Sequence, residues 1–259
     1  MAETPQVEYN YKNESSKKRR LKMKKTKIAI LLLLFFTATF SLYSGFSYQL
    51  DVVSRYIWRG FDLNPPKKPA VQPQVTYAFG DSGFAVNLFL NFSFEDHNTN
   101  EVDFTFTYDF KTGEDLALTL GFTNYCWPFA QGFKLNKFND YATQEFFVSA
   151  GFPKVFLAPT VSVYYDINLG DGLYAELGIG HGLEINKDIS LDLSASLGYN
   201  AGQWLPNGAD TGFSDLNIGA ALPLKSGKFT ITPYAAYTFV LLDSVGPDDY
   251  FWAGISITR

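Results

Sequence analysis

The 259-residue chain has 1 Cys, 2 His and 2 Met. One thiol rules out an internal disulfide framework, and two imidazoles leave little from which to build a zinc site. Long apolar runs are also missing. The strongest, Ile28–Phe36, falls well short of the roughly 20 residues a spanning helix needs. A mean hydropathy of −0.06 excludes a polytopic helical membrane protein. An apolar content of 46% excludes disorder over most of the chain. What the chain does have is aromatic residues, with 25 Phe, 16 Tyr and 4 Trp, together with 21 Gly. That composition points to β structure.

Charge is unevenly spread. The total is 21 basic and 26 acidic side chains, net −5. Residues 1–47 hold nine bases (Lys12, Lys17, Lys18, Arg19, Arg20, Lys22, Lys24, Lys25, Lys27) and three acids, which leaves 12 bases and 23 acids, net −11, for residues 48–259. A basic stretch running into a short apolar core and then small residues is the anatomy of a secretory signal peptide. The expected organisation is a basic extension over 1–22, upstream of the start-like Met23-Lys-Lys-Thr-Lys27, a signal peptide over 23–47 and a barrel over 48–259. An uncleaved anchor is the competing reading, and nine strongly apolar residues are too few for it.

Beyond Ser47 the pattern has period two. Phe84, Val86, Leu88, Leu90, Phe92 and Phe94 alternate with small or polar residues. Val102, Phe104, Phe106, Tyr108 and Phe110 oppose Glu101, Asp103, Thr105, Thr107 and Asp109. Such alternation makes strands with one apolar and one polar face. About twelve segments follow the rule: 48–61, 70–80, 83–95, 100–110, 115–124, 140–152, 157–168, 173–185, 188–200, 213–224, 228–241 and 250–258. Tight turns such as Gly80–Gly83 and Pro153–Phe156 alternate with longer connections such as Tyr125–Asn139 and Ala201–Gly212. That asymmetry predicts an all-β, transmembrane, antiparallel up-and-down barrel of the outer membrane, with short periplasmic turns and longer outer loops. A soluble sandwich would need its polar face outside. Here that face carries many acids, which a lumen keeps hydrated. Tyr48, Tyr77, Phe79, Tyr108, Phe110, Tyr199 and Tyr250 near strand ends suit interfacial girdles. Pro233, deep inside a strand, calls for a local bulge.

The segment Ser54-Arg-Tyr-Ile-Trp-Arg-Gly-Phe61, followed by Lys68-Pro-Ala-Val-Gln72, resembles the opening of the TorF-type porin family, earlier catalogued as the conserved hypothetical Gcw_chp group. The resemblance covers about residues 48–259, with the motif confined to 54–72. It implies porin-like behaviour in the outer membrane and names no substrate or catalytic residue. One departure is the C-terminus: outer-membrane strands usually finish on an aromatic residue, whereas this chain ends Ile255-Ser-Ile-Thr-Arg259.

Strand parity assigns a pore-lining set: Asp51, Arg55, Arg59, Glu95, Glu101, Asp103, Asp109, Glu145, Asp166, Glu176, Asp192 and Asp215, accompanied by Glu184 and by the amides Gln49, Gln72, Gln74, Asn87 and Asn91. An acidic lining favours cations and neutral polar solutes over anions. Arg55 and Arg59 share a strand face; they would either form a constriction opposite Glu101 and Asp103 or simply pair with those acids. The competing function is a closed structural or surface-interaction barrel, with loops 125–139 and 201–212 meeting a partner. No enzyme is expected. The only imidazoles are His97, in a polar loop, and His181, on a lipid-facing position, and neither has a Gly-x-Ser-x-Gly segment beside it. Gly178, Gly180 and Gly182 alternate within a strand and form no phosphate loop. Cys126 is a lone loop thiol. No cofactor or metal is implied, although Asp96, Asp171 and Asp248-Asp249 are acids on the outer rim. The expected partners are outer-membrane lipid and lipopolysaccharide, the barrel-assembly machinery and small polar solutes. Nucleic acid is not among them, and the oligomeric state is open.

Overall fold

The computed structural model describes residues 45–63, 68–94, 98–127, 141–187 and 189–259. The basic extension, almost all of the expected signal segment, Glu95, Asp96, His97 and most of loop 125–139 lie outside them. Gly45–Arg259 form one compact unit.

Its strands are β1 (Phe46–Val53), β2 (Ile57–Trp58), β3 (Phe61–Asp62), β4 (Ala70–Ala78), β5 (Phe84–Ser93), β6 (Asn98–Phe110), β7 (Ala117–Cys126), β8 (Ala142–Gly151), β9 (Thr160–Asp166), β10 (Gly172–Asn186), β11 (Ile189–Ala201), β12 (Gly212–Ala221), β13 (Leu224–Ser226), β14 (Phe229–Val240) and β15 (Tyr250–Thr258). β2 and β3 pair only with each other. The other 13 form one sheet, in which β13 extends the line of β12, leaving twelve staves. Each stave pairs antiparallel with its sequence neighbour. β1 closes the ring on β15 through Gln49↔Thr258 to Val53↔Gly254. A closed antiparallel ring has no free edge, the condition for placing strands in lipid.

Burial is inverted relative to a soluble protein. Asp51, Gln72, Asn91, Glu101, Glu145 and Asp215 are buried, while Phe84, Phe106, Leu120, Phe146, Ile179 and Phe213 are exposed. Period-two alternation therefore puts polar side chains in the lumen and apolar ones outside, the arrangement of a membrane barrel. Aromatic pairs collect near the rim that carries both chain ends, here called the terminal rim. Phe46–Tyr77, Tyr77–Phe79, Phe84–Tyr108 and Tyr108–Phe110 have ring centroids 4.6–4.9 Å apart. Tyr250 departs from the expected girdle: it lies 5.0 Å beneath the Arg55 guanidinium.

Three expectations are corrected. The first strand ends at Val53, not 61, and its supposed continuation turns inward. The connection expected as the tight turn Pro153–Phe156 spans Phe152–Pro159, with two successive turn bonds, Val155 N to Phe152 O and Ala158 N to Val155 O. Pro233 needs no bulge, because its strand keeps register with β15. Leu222 N donates to Pro233 O at 2.9 Å. The donor that proline lacks faces the interruption between β12 and β13, where little ladder remains to lose.

Candidate functional site

Ser54 to Leu63 leave the distal rim and fold back into the lumen as a small hairpin. Ile57 pairs with Asp62 and Trp58 with Phe61. The two residues between them, Arg59 (φ 50°) and Gly60 (φ 84°), both have positive φ. Positive φ at both central residues is the signature of the tightest hairpin turn, whose twist matches that of its strands. Gly60 is required for space as well as for φ. A Cβ there would lie 2.9 Å from Val245 Cγ1 and 3.1 Å from Asp215 Cβ.

The hairpin reaches the wall in every direction. The Tyr56 ring sits 6.0 Å from Phe89 on β5, and Trp58 sits 5.9 Å from Tyr125 on β7. Tyr56 also hydrogen-bonds Glu101 on β6. Arg55 pairs with Asp62 at 3.4 Å, which ties the hairpin's two arms together. Arg59 makes the firmest attachment. Its Nη1 donates to Glu145 Oε2 and to Gln203 Oε1, each at 2.5 Å, and its Nη2 donates to Glu145 Oε1 at 3.0 Å. The guanidinium lies 4.4, 4.0 and 4.7 Å from the ring centroids of Trp58, Tyr164 and Tyr174. A two-pronged carboxylate bond inside an aromatic box is a setting that suits arginine and not lysine. Arg59 and Glu145 side chains are only 8% and 1% exposed. Burial works against the arginine's charge. The hydrogen bond and charge of Glu145, with the Tyr125 and Tyr164 phenols, more than offset it, so its pKa lies above the ordinary arginine value. The positive φ of Arg59, a strained conformation for a residue with a Cβ, is held by these contacts.

Neighbouring polar groups complete the frame. Gln203 Nε2 and Tyr125 OH donate to Glu145 at 2.7 and 3.0 Å. Asp215 accepts from Tyr174 OH at 3.2 Å, Ser214 Oγ at 2.7 Å and Asn217 Nδ2 at 2.8 Å. Tyr174 gets that close because Gly198 lies beneath it: a Cβ there would collide with the Tyr174 hydroxyl and the Asp215 carboxylate. Gln203 and Trp204 belong to the distal connection after β11. They turn inward, with the Gln203 backbone packed on Gly172 so closely that no Cβ fits at that glycine.

The hairpin divides the lumen. On its distal side is a cup of about 310 Å3 lined by Tyr56, Trp58, Phe61, Tyr125, Trp127 and Trp204, with Asn91 and Glu101 as its polar members. On its other side is a chamber of about 460 Å3 whose wall includes Glu176, Ser196, Asn217 and Trp252. Below that the interior is hydroxyls and amides bonded to ladder neighbours: Thr105 with Thr123 at 3.0 Å, Ser162 to Ser149 at 2.8 Å and Asn87 to Thr76 at 2.8 Å.

Of the twelve residues read as pore-lining, Glu95 lies outside the described residues and the other eleven are dispersed. Glu101, Asp103, Glu145, Glu176 and Asp215 surround the hairpin. Asp51 lies on the lumen side of β1, accepting from Gln49 Nε2 at 2.7 Å. Asp166 caps a distal turn, accepting from Thr143 Oγ1 at 2.6 Å and from the backbone N–H groups of Asn168 and Gly170 at 2.9 and 3.0 Å. Asp109 and Asp192 sit exposed toward the terminal rim, bonded to Thr119 and Ser190. Arg55 and Arg59 are on the hairpin, not on a wall strand, and their partners are Asp62 and Glu145 in place of Glu101 and Asp103. The residues missed in the sequence are Tyr56, Trp58, Gly60, Tyr174 and Gln203. The Arg59-Gly60 pair was the available signal, since a glycine inside a strand pattern marks a break. Cys126 is buried at the end of β7, with Asn124 Nδ2 2.7 Å from its sulfur. His181 is exposed on β10, its ring 5.9 Å from Phe156.

A family model described as a bacterial protein of unknown function (Gcw_chp) matches residues 39–239. No curated protein sequence matches the chain. Among solved structures, the KdgM porin is similar at 12% identity and a TM-score of 0.52, over 82% of this chain and 98% of that one. LpxR from Salmonella typhimurium is similar at 9% identity and a TM-score of 0.52, over 82% and 99%. The NanC porin is similar at 13% identity and a TM-score of 0.46, over 82% and 97%. At these identities the likeness is one of fold: an outer-membrane β-barrel, with neighbours that are mostly porins and channels.

Proposed function

We propose that this chain, which belongs to the Gcw_chp family, is a diffusion channel of the bacterial outer membrane for small cationic or neutral polar solutes. The observation that carries the reading is the polar interior of a closed barrel whose outside is apolar, with a chamber of about 460 Å3 beneath the hairpin. Its wall mixes polar groups, Arg59, Glu176, Ser196 and Asn217, with rings such as Tyr164, Tyr174 and Trp252, and the polar groups suit hydrated solutes. A signal segment ending before Phe46, where β1 begins, would deliver the chain to the periplasm, and the assembly machinery would insert it among lipid and lipopolysaccharide. The terminal rim then faces the periplasm and the distal rim the outside.

Selection would follow from the carboxylates. Glu101, Asp103, Glu145 and Asp215 ring the hairpin, and Arg59 offsets one of them through its bond to Glu145. The remaining field attracts cations and opposes anions.

The second reading, a closed structural barrel, is favoured by the hairpin itself, which spans the lumen and is bonded on several sides. One measurement separates the two. The protein, purified from expressing membranes, is placed in planar bilayers under a KCl gradient. Discrete cation-selective steps, smaller when Glu101→Gln is combined with Asp103→Asn, support the channel. A folded barrel that stays electrically silent leaves the structural reading in its place.

A further inference from the structure

We propose that the distal cup is a binding site for a small organic ammonium ion carrying an aromatic or alkyl body. The site stands on the cup's own geometry, whether or not the lumen conducts. Its volume, about 310 Å3, lies at the low end of the range for small-ligand sites (roughly 300–1,000 Å3). Its apolar wall is Leu63 and six rings: Tyr56, Trp58 and Phe61 from the hairpin, Tyr125 and Trp127 from the end of β7, and Trp204 from the distal connection after β11. Trp127 and Trp204 meet edge to face with centroids 5.6 Å apart, which fixes both. Three of the chain's 4 Trp thus face one space.

Among the described residues the cup's one acidic wall residue is Glu101, 4% exposed. Tyr56 and Trp127 hydrogen-bond its carboxylate. These are neutral donors: they orient the group without bringing a positive charge. No Lys or Arg lines the cup among the described residues. Arg59 cannot serve, because it is committed to Glu145 and Gln203. Asp103, two residues along the same face of β6, lies behind it, accepting from the Cys126 backbone N–H at 3.4 Å.

The same barrel already contains a filled version of this arrangement. Arg59 is a cation held against Trp58, Tyr164 and Tyr174 and bonded to a buried carboxylate. Trp58 borders both places. The cup repeats the components, ring faces around a carboxylate, with no Lys or Arg among its described lining residues. An anion entering it would meet Glu101, with no Lys or Arg among the described lining residues to compensate. A neutral apolar molecule would use the rings and leave the carboxylate unmatched. An ammonium ion with a compact apolar body uses both, through cation–π attraction and a charge-assisted hydrogen bond.

The test is a titration of intrinsic tryptophan fluorescence on the full chain in detergent micelles, using 2-phenylethylammonium, 2-phenylethanol and 3-phenylpropionate. Saturable quenching by the ammonium ion is expected, with affinity about tenfold or more above that of the alcohol, and no saturable response to the carboxylate. Glu101→Gln, checked for a retained β-sheet circular dichroism spectrum, should bring the ammonium ion down to the alcohol's affinity. Equal affinity for ammonium ion and alcohol in the unmodified protein would overturn the proposal without any variant. Linear quenching that only reflects partition into micelles, or unchanged ammonium binding in folded Glu101→Gln, would overturn it as well.

Discussion

The two halves of the lumen are held together differently. Toward the terminal rim, polar side chains bond to partners across a single ladder, as Thr105 does with Thr123 and Ser162 with Ser149. Toward the distal rim such bonds continue, as from Thr143 to Asp166, and others leap over the barrel: Arg59 to Glu145 and to Gln203, with Gln203 returning to Glu145. The wall itself needs only the first kind, because its backbone ladder already joins each strand to the next. The second kind exists to seat the hairpin. A barrel and an insert are thus two separable pieces of one chain, joined at a few named side chains.

Removing the insert should separate them most visibly. Replacing residues 55–62 with a short Gly/Ser link should leave a folded barrel and raise single-channel conductance several-fold; a collapse of folding would show that wall and insert are one unit. Next in size is the anchor. Glu145→Ala leaves the Arg59 charge buried without its carboxylate, a loss of roughly 3–5 kcal/mol if the hairpin stayed in place. Undocking is the easier escape, so trypsin should cut after Arg59 in this variant and spare the unmodified protein, as fragment masses would report. Arg59→Lys should behave similarly but more mildly, since one ammonium cannot reproduce the fork or the ring contacts.

Gly198→Ala tests the wall beneath the insert. The added methyl group meets Tyr174 and Asp215 and should cost about 1–3 kcal/mol as overpacking, read from urea unfolding in vesicles. Thr105→Val, in the other half, removes one neighbour-to-neighbour hydrogen bond and should cost about 1 kcal/mol or less in the same assay. Smallest of all is Lys154→Ala. Its pairs with Glu114 and Asp115 join two exposed turns on the terminal rim, and solvent screens them, so the unfolding midpoint should not move.

The wall was legible and the insert was not, for one physical reason. A wall strand announces itself because its two faces meet different media, so Val102 to Phe110 and Glu101 to Asp109 sort themselves by hydropathy. Parity alone put Glu101, Asp103, Glu145, Glu176 and Asp215 on the interior face. The hairpin lies wholly inside, with no lipid face to impose a pattern, yet Arg55, Ile57 and Arg59 alternate with Tyr56 and Trp58 by coincidence of composition. The period therefore runs on past Val53 without a visible seam. Only the positive φ of Arg59 and Gly60 ends it, and Arg-Gly is not among the usual hairpin turn pairs. Distances were invisible for a different reason. The partners of Arg59 are 86 and 144 residues away, and nothing local in the sequence names them.

The ring closes where Gln49 to Val53 lie against Gly254 to Thr258, the beginning of the barrel against its end. That seam has a consequence for assembly. The strand that carries the hairpin takes its second neighbour from the far end of the sequence, so that pairing is the one that closes the ring. Arg259 and Tyr48 lock that seam with two backbone bonds, at 3.0 and 3.1 Å. A hairpin docked before the seam closes would need no passage through a finished wall.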